Sequence, residues 1–63
     1  MARSFRICRE VRTRAGVRTV PVGLPAMGVD SLSLRAPDAE TALANARVLV
    51  ADTRNLIALP EDN

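Results

Sequence analysis

From Ser4 to Arg12 the chain alternates. Phe5, Ile7 and Val11 fall on one side at period two, with Arg9 breaking the series, while Arg6, Glu10 and Arg12 fall on the other with Cys8 among them. This spacing predicts a half-buried strand. Thr13-Arg14-Ala15-Gly16 follows and predicts a hairpin loop, because Gly16 reaches positive φ at no steric cost. Residues 17–22 predict a second strand, with Pro21 at an edge or strand end because it has no N–H to donate. The breakers in Gly23-Leu24-Pro25-Ala26-Met27-Gly28 predict a loop. Residues 29–35 alternate again, Leu32 and Leu34 against Ser31, Ser33 and Arg35, and predict a third strand.

The period then changes. Ala36-Pro37-Asp38 predicts a helix start, with Asp38 capping free N–H groups of the first turn and its charge, with that of Glu40, suiting the positive end of the helix dipole. Ala39, Ala42, Leu43, Ala46, Leu49, Val50 and Thr53 recur at three- and four-residue steps and predict an amphipathic helix of about four turns, closed near Asn55. Leu56-Ile57-Ala58-Leu59 predicts a short fourth strand, and Pro60-Glu61-Asp62-Asn63 a polar, frayed tail. The fold class is α+β in the order β-β-β-α-β: a three-stranded antiparallel meander covered by one amphipathic helix, with a short fourth strand after it. Phe5, Ile7, Leu32, Leu34, Leu43, Leu49 and Val50 are the expected core. Residues 1–63 form one small domain, with an ordered core at about residues 4–59.

Length narrows the possibilities. A chain of 63 residues buries roughly 60% of the surface its unfolded form exposes, and has no room for a two-domain enzyme. The hydrophobic fraction of 48% and charged fraction of 25% are those of a folded globular domain. Histidine is absent and Cys8 is the single cysteine. A disulfide framework, a Cys/His metal site and a Ser-His or Cys-His catalytic pair are thereby excluded. Cys8 is read as a small apolar filler. The carboxylates are scattered, and no Gly-Lys-Ser/Thr follows Gly23 or Gly28 to cradle a phosphate. The expectation is a protein that is not an enzyme and uses no cofactor and no metal.

Charge adds a second feature. All nine basic residues are Arg. Residues 1–35 set Arg3, Arg6, Arg9, Arg12, Arg14, Arg18 and Arg35 against Glu10 and Asp30, a net of +5. Residues 36–63 set Arg47 and Arg54 against Asp38, Glu40, Asp52, Glu61 and Asp62, a net of −3. Such asymmetry suits a nucleic-acid face, or two copies meeting with opposite signs, or an ordinary solvated surface. Arginines interrupt every apolar window a secretory signal needs, and no stretch approaches the roughly 20 apolar residues of a membrane span. The expected location is the cytoplasm, with no membrane partner.

The stretch from Val20 to Leu56 resembles the N-terminal domain of HicB-type antitoxins. The residues that carry the likeness are the loop Leu24-Pro25-Ala26-Met27-Gly28, the short strand after it, and the helix opening Thr41-Ala42-Leu43-Ala44-Asn45-Ala46 with Glu40 just before. Asp38 stands where that family usually has a capping Thr. The hairpin of residues 4–22 fits the family's first two strands, so the likeness covers roughly residues 4–59. Arg replaces the acidic and aromatic character common in those strands, and Ala36-Pro37 stands where a Gly precedes the cap. The resemblance implies a stand-alone core, without the usual DNA-binding domain, that assembles with its own copies and masks a small toxin ribonuclease.

Three functions are therefore carried forward. The first is a self-associating interaction module, a dimer or higher, which small scaffolds and free strand edges favour. Its partner-binding candidates are Arg6, Glu10 and Arg18 on the sheet's outer face and Leu24 and Met27 in the loop. The second is a DNA- or RNA-binding hairpin, with Arg9, Arg12 and Arg14 as candidates, since a two-stranded ribbon fits a major groove and Arg suits phosphate and guanine. The third is a structural subunit of a phage or mobile-element assembly.

Overall fold

Alternation in the first strand persists from Arg3 to Thr13 to form β1, and β2 spans Gly16–Pro21 in the computed structural model, which describes residues 2–61. A 3-10 turn at Pro25–Met27, β3 (Ser33–Ala36), α1 (Ala39–Leu49) and β4 (Leu56–Pro60) complete the α+β order. All strand pairings are antiparallel.

β1 is the hub. The sheet order is β2-β1-β3, with β4 also paired to β1. The register sets Cys8 opposite Pro21 and Thr13 opposite Gly16 in β2, Phe5 opposite Leu34 in β3, and Cys8 opposite Ile57 in β4. Ile7 marks where one edge of β1 changes partner: its carbonyl accepts from Val22 N–H at 3.0 Å and its N–H donates to the Leu32 carbonyl at 2.9 Å. β2 and β3 thus lie in tandem along one edge, and β4 occupies the other. At about 3.3 Å per residue, an eleven-residue strand accounts for the long dimension of a molecule measuring 39 × 26 × 20 Å.

Gly16 takes φ +124° as the first residue of β2, directly after the hairpin turn, as its place in the sequence demands. The loop between β2 and β3 is folded back by a two-way bridge between Leu24 and Val29, whose amides and carbonyls exchange bonds of 2.8 and 3.1 Å. This closure brings the Val29 carbonyl within 2.3 Å of where a Cβ on Gly23 would sit, so that position has no room for a side chain. The bridge also shortens the third strand. Val29 is taken up by the loop closure, Leu32 bonds to Ile7 and Val22 at the junction of β2 and β3, and the strand proper begins at Ser33.

Asp38 caps α1 through Thr41 N–H at 2.7 Å. The helix ends at Leu49, about a turn earlier than the sequence predicts. Val50 adopts extended backbone and is buried, so the chain leaves the helix to cross back toward β1. Asn55 is therefore not a helix stop. It holds φ +56° at the turn into β4, and its carbonyl accepts from Glu10 N–H at 3.0 Å. Of the expected helix face, Ala42 and Ala46 are fully buried, Leu43 is half-buried, and Ala39 and Thr53 are exposed. Leu49 is 48% exposed and is not a core residue.

The core forms two clusters on the helix side of the sheet. Ile7, Leu32, Ala46, Val50 and Leu56 make one, flanked by Val22, Leu24, Leu34 and Leu43, while Phe5, Ala36 and Ala42 make the other. Alanine at the contact positions lets the helix backbone sit close to the sheet. Complete burial of Ile7 is worth about 1.5–3 kcal/mol. Pro60 belongs to β4, and Glu61 N–H donates to the Ser4 carbonyl at 2.9 Å, so these two residues are ordered parts of the sheet and not tail. The rest of the expected tail, residues 62–63, lies outside the described residues. No described helix is long and apolar enough to cross a membrane.

Candidate interaction surface

Three regions of the surface follow from the sheet register. Residues directly opposite one another in an antiparallel sheet share a face. Ser4, Arg6, Cys8, Glu10 and Arg12 therefore lie on the face away from α1, with Val17, Thr19 and Pro21 of β2, Ser33 and Arg35 of β3, and Ile57 and Leu59 of β4. The centre of this face is apolar. Cys8 is buried there between Pro21 and Ile57, which confirms its reading as a small filler, and Leu59 is 40% exposed. Arg6 reaches Glu61 at 3.5 Å near its margin.

The second region is the hairpin beyond the helix. α1 packs on β1, β3 and β4 but not on β2. Every residue of β2 is exposed, and Val11, Val17 and Val20 show 37%, 59% and 43% of their surface. Arg18 stands opposite Val11 and so lies on the reverse face from Arg6 and Glu10. The expectation that Arg6, Glu10 and Arg18 share the outer face is corrected accordingly. Arg12 and Arg14 are exposed, Arg12 on the outer face and Arg14 in the turn.

Arg9 has a different place. Its Nη1 donates to the Arg54 carbonyl, its Nη2 donates to the Asp52 carbonyl at 2.6 Å, and Nη1 lies 3.5 Å from Asp52 Oδ1. The guanidinium is thus spent on the crossing between α1 and β4, which removes Arg9 as a free nucleic-acid candidate. Asp52 also accepts from Arg54 through Nε and Nη2, both at 3.0 Å. The side-chain bond from Arg54, its backbone N–H and the nearby Arg9 charge hold the Asp52 carboxyl far below the usual carboxylate range, and the same pairing raises Arg54. An open notch of about 720 Å³ lies beside this clamp, lined among others by Glu10, Arg12 and Arg54.

The third region holds the loop candidates. Leu24 is half-buried against the core, whereas Met27 is 73% exposed. Both line an apolar groove of about 300 Å³ with Leu49, Val50 and Ala51 at the C-terminal end of α1. They sit on the helix side, apart from Arg6 and Glu10, so the five partner candidates do not converge on one spot. The residues the sequence passes over are those of the Arg9 clamp and the exposed edge of β2. The clamp joins positions more than forty apart in the chain, and no local pattern announces it. The edge was legible only in part, through Pro21. Comparison with protein-family models, curated proteins and solved structures returns no match for the chain.

Proposed function

We propose that this protein is a non-enzymatic interaction module of the HicB-antitoxin-like kind, which associates with its own copies and masks a small partner such as a toxin ribonuclease. The observation that carries this reading is the hairpin. Its second strand is exposed along its whole length, without the helix that covers the rest of the sheet. Unpaired strand edges are templates for association, and a scaffold this small gains stability by it. The loop around Met27 and the outer face with Arg6 and Glu10 offer separate surfaces, so self-association and partner masking need not compete.

The exposed Arg12, Arg14 and Arg18 favour DNA or RNA binding by the hairpin as a second reading. Light scattering at tens of micromolar protein, at low and high salt, separates the two. An oligomer that persists in high salt supports the interaction module. A strict monomer at both salts sinks self-association and turns attention to nucleic acid. Nucleic-acid binding absent even at 50 mM salt, where phosphate contacts are strongest, sinks the second reading.

A further inference from the structure

The sheet has three outward edges among the described residues, and they are not equivalent. β3 is four residues long and carries Arg35 on its open side, directly before Pro37. β4 is five residues long and ends in Pro60 beside Glu61. β2 is six residues long and has no helix against it. Its pairing is fixed by the bond between Ile7 and Val22. Hydrogen-bonded positions alternate along an antiparallel ladder, so Arg18 and Val20 bond to β1 while Val17 and Thr19 direct their N–H and C=O groups outward. Natural edges are commonly blunted by charge, proline or bulges. Here Val17 and Thr19 lie open, and Pro21 limits only the far end.

We propose that β2 is the edge through which two copies of this chain join, pairing antiparallel about a two-fold axis at Thr19 to make one continuous sheet across both molecules. This rests on the self-association proposed above and specifies its surface. The register follows from side-chain complementarity. An axis at Thr19 sets Thr19 opposite Thr19, Val17 opposite Pro21 and Arg18 opposite Val20. Both outward amides, of Val17 and Thr19, then find carbonyls, and Pro21 contributes the acceptor it retains. A Thr–Thr pair and an Arg stem laid over valine are favourable cross-strand neighbours. An axis one residue earlier sets Arg18 directly against Arg18, a repulsive pair. An axis one residue later pairs only Thr19 to Pro21 within β2 and runs Val17 and Arg18 against residues 22 and 23, beyond the end of the strand. On the outer face the pairing brings the exposed Val17 of each copy beside Pro21 of the other, extending the apolar centre around Cys8 and Ile57.

The register is tested by cysteine placement in a Cys8→Ala background. A hydrogen-bonded antiparallel pair has a Cα separation of about 5.5 Å, within the roughly 4.4–6.8 Å of disulfides. Thr19→Cys is expected to give a covalent dimer under mild oxidation. Val17→Cys is expected to stay uncrosslinked, because the two sites lie four residues out of register, about 13 Å apart. Thr19→Pro removes an amide that the monomer does not use and is expected to halve the mass seen by light scattering with little change in the circular dichroism spectrum. If the unmodified chain associates but Thr19→Pro keeps its mass, the β2 edge is wrong while self-association stands; if Val17→Cys crosslinks as readily as Thr19→Cys, the axis at Thr19 is wrong. A monomeric unmodified chain overturns both.

Discussion

Arg9 breaks the apolar face of β1 in the sequence, and in the structure it has a structural task. A side chain of this length on the helix side reaches the crossing between α1 and β4 and takes two of its carbonyls. Asp52, held by Arg54 and facing Arg9, is the titrating member of this cluster. Its folded pKa lies below the unfolded value of about 3.9, so the stabilisation it gives is present above that pH and is lost as pH falls below it. Asp38, lowered by the Thr41 N–H, contributes with the same sign. Urea midpoints measured from pH 6 down to pH 2 are expected to fall on acidification, and to fall less in Asp52→Asn. An unchanged slope in that variant would show that the clamp does not operate in solution. The alternation of Phe5 and Ile7 was fully legible because burial at period two leaves a local trace. The partner of Arg9 left none, since it is set by where a distant crossing passes.

At the level of elements, the sequence spoke clearly where one residue dictates local geometry. Asp38 before Ala39 and Glu40 marked the helix start, and Gly16 marked the hairpin turn. It spoke less clearly where tertiary demands overrode periodicity. The repeat of small and apolar residues continues past Leu49, yet Val50 is needed in the core and leaves the helix. Residues 29–32 carry strand alternation, yet Val29 is taken up by the bridge to Leu24. That closure is tight at Gly23. A Cβ there would meet the backbone carbonyls of Val29 and Asp30 at 2.3 and 2.6 Å, neither of which can swing aside. Gly23→Ala is expected to destabilise the domain by about 1–3 kcal/mol, the usual cost of overpacking. Chemical denaturation would read this as a lower midpoint, and an unaltered midpoint would mean the loop closes differently. The same closure positions Met27 over the apolar groove, so the variant also tests whether that surface depends on the bridge.

For the whole molecule, small size sets the margin. At about 0.05–0.15 kcal/mol per residue, a chain of 63 residues has roughly 3–9 kcal/mol to lose. Ile7 is the largest side chain that is fully buried, and Ile→Ala in a core costs about 2–5 kcal/mol. Ile7→Ala is thus expected to remove a large part of that margin, read as a lower urea midpoint, unless association restores it at higher protein concentration. An unchanged, concentration-independent midpoint in Ile7→Ala would mean the core extends beyond the two clusters described. The charge asymmetry of the sequence survives in three dimensions only in part, because Arg9 and Arg6 are paired with acidic groups from the other half. β1 as hub has a further consequence for how the chain is made. Phe5 finds its β4 neighbour at Pro60, so β1 leaves the ribosome well before the strand that completes its pairing. Contacts of such long sequence separation slow folding, and during that wait one side of β1 stands open to any extended strand nearby. β2 and β3 shelter only the other side, which makes the arrival of residues 56–60 the step that commits the molecule.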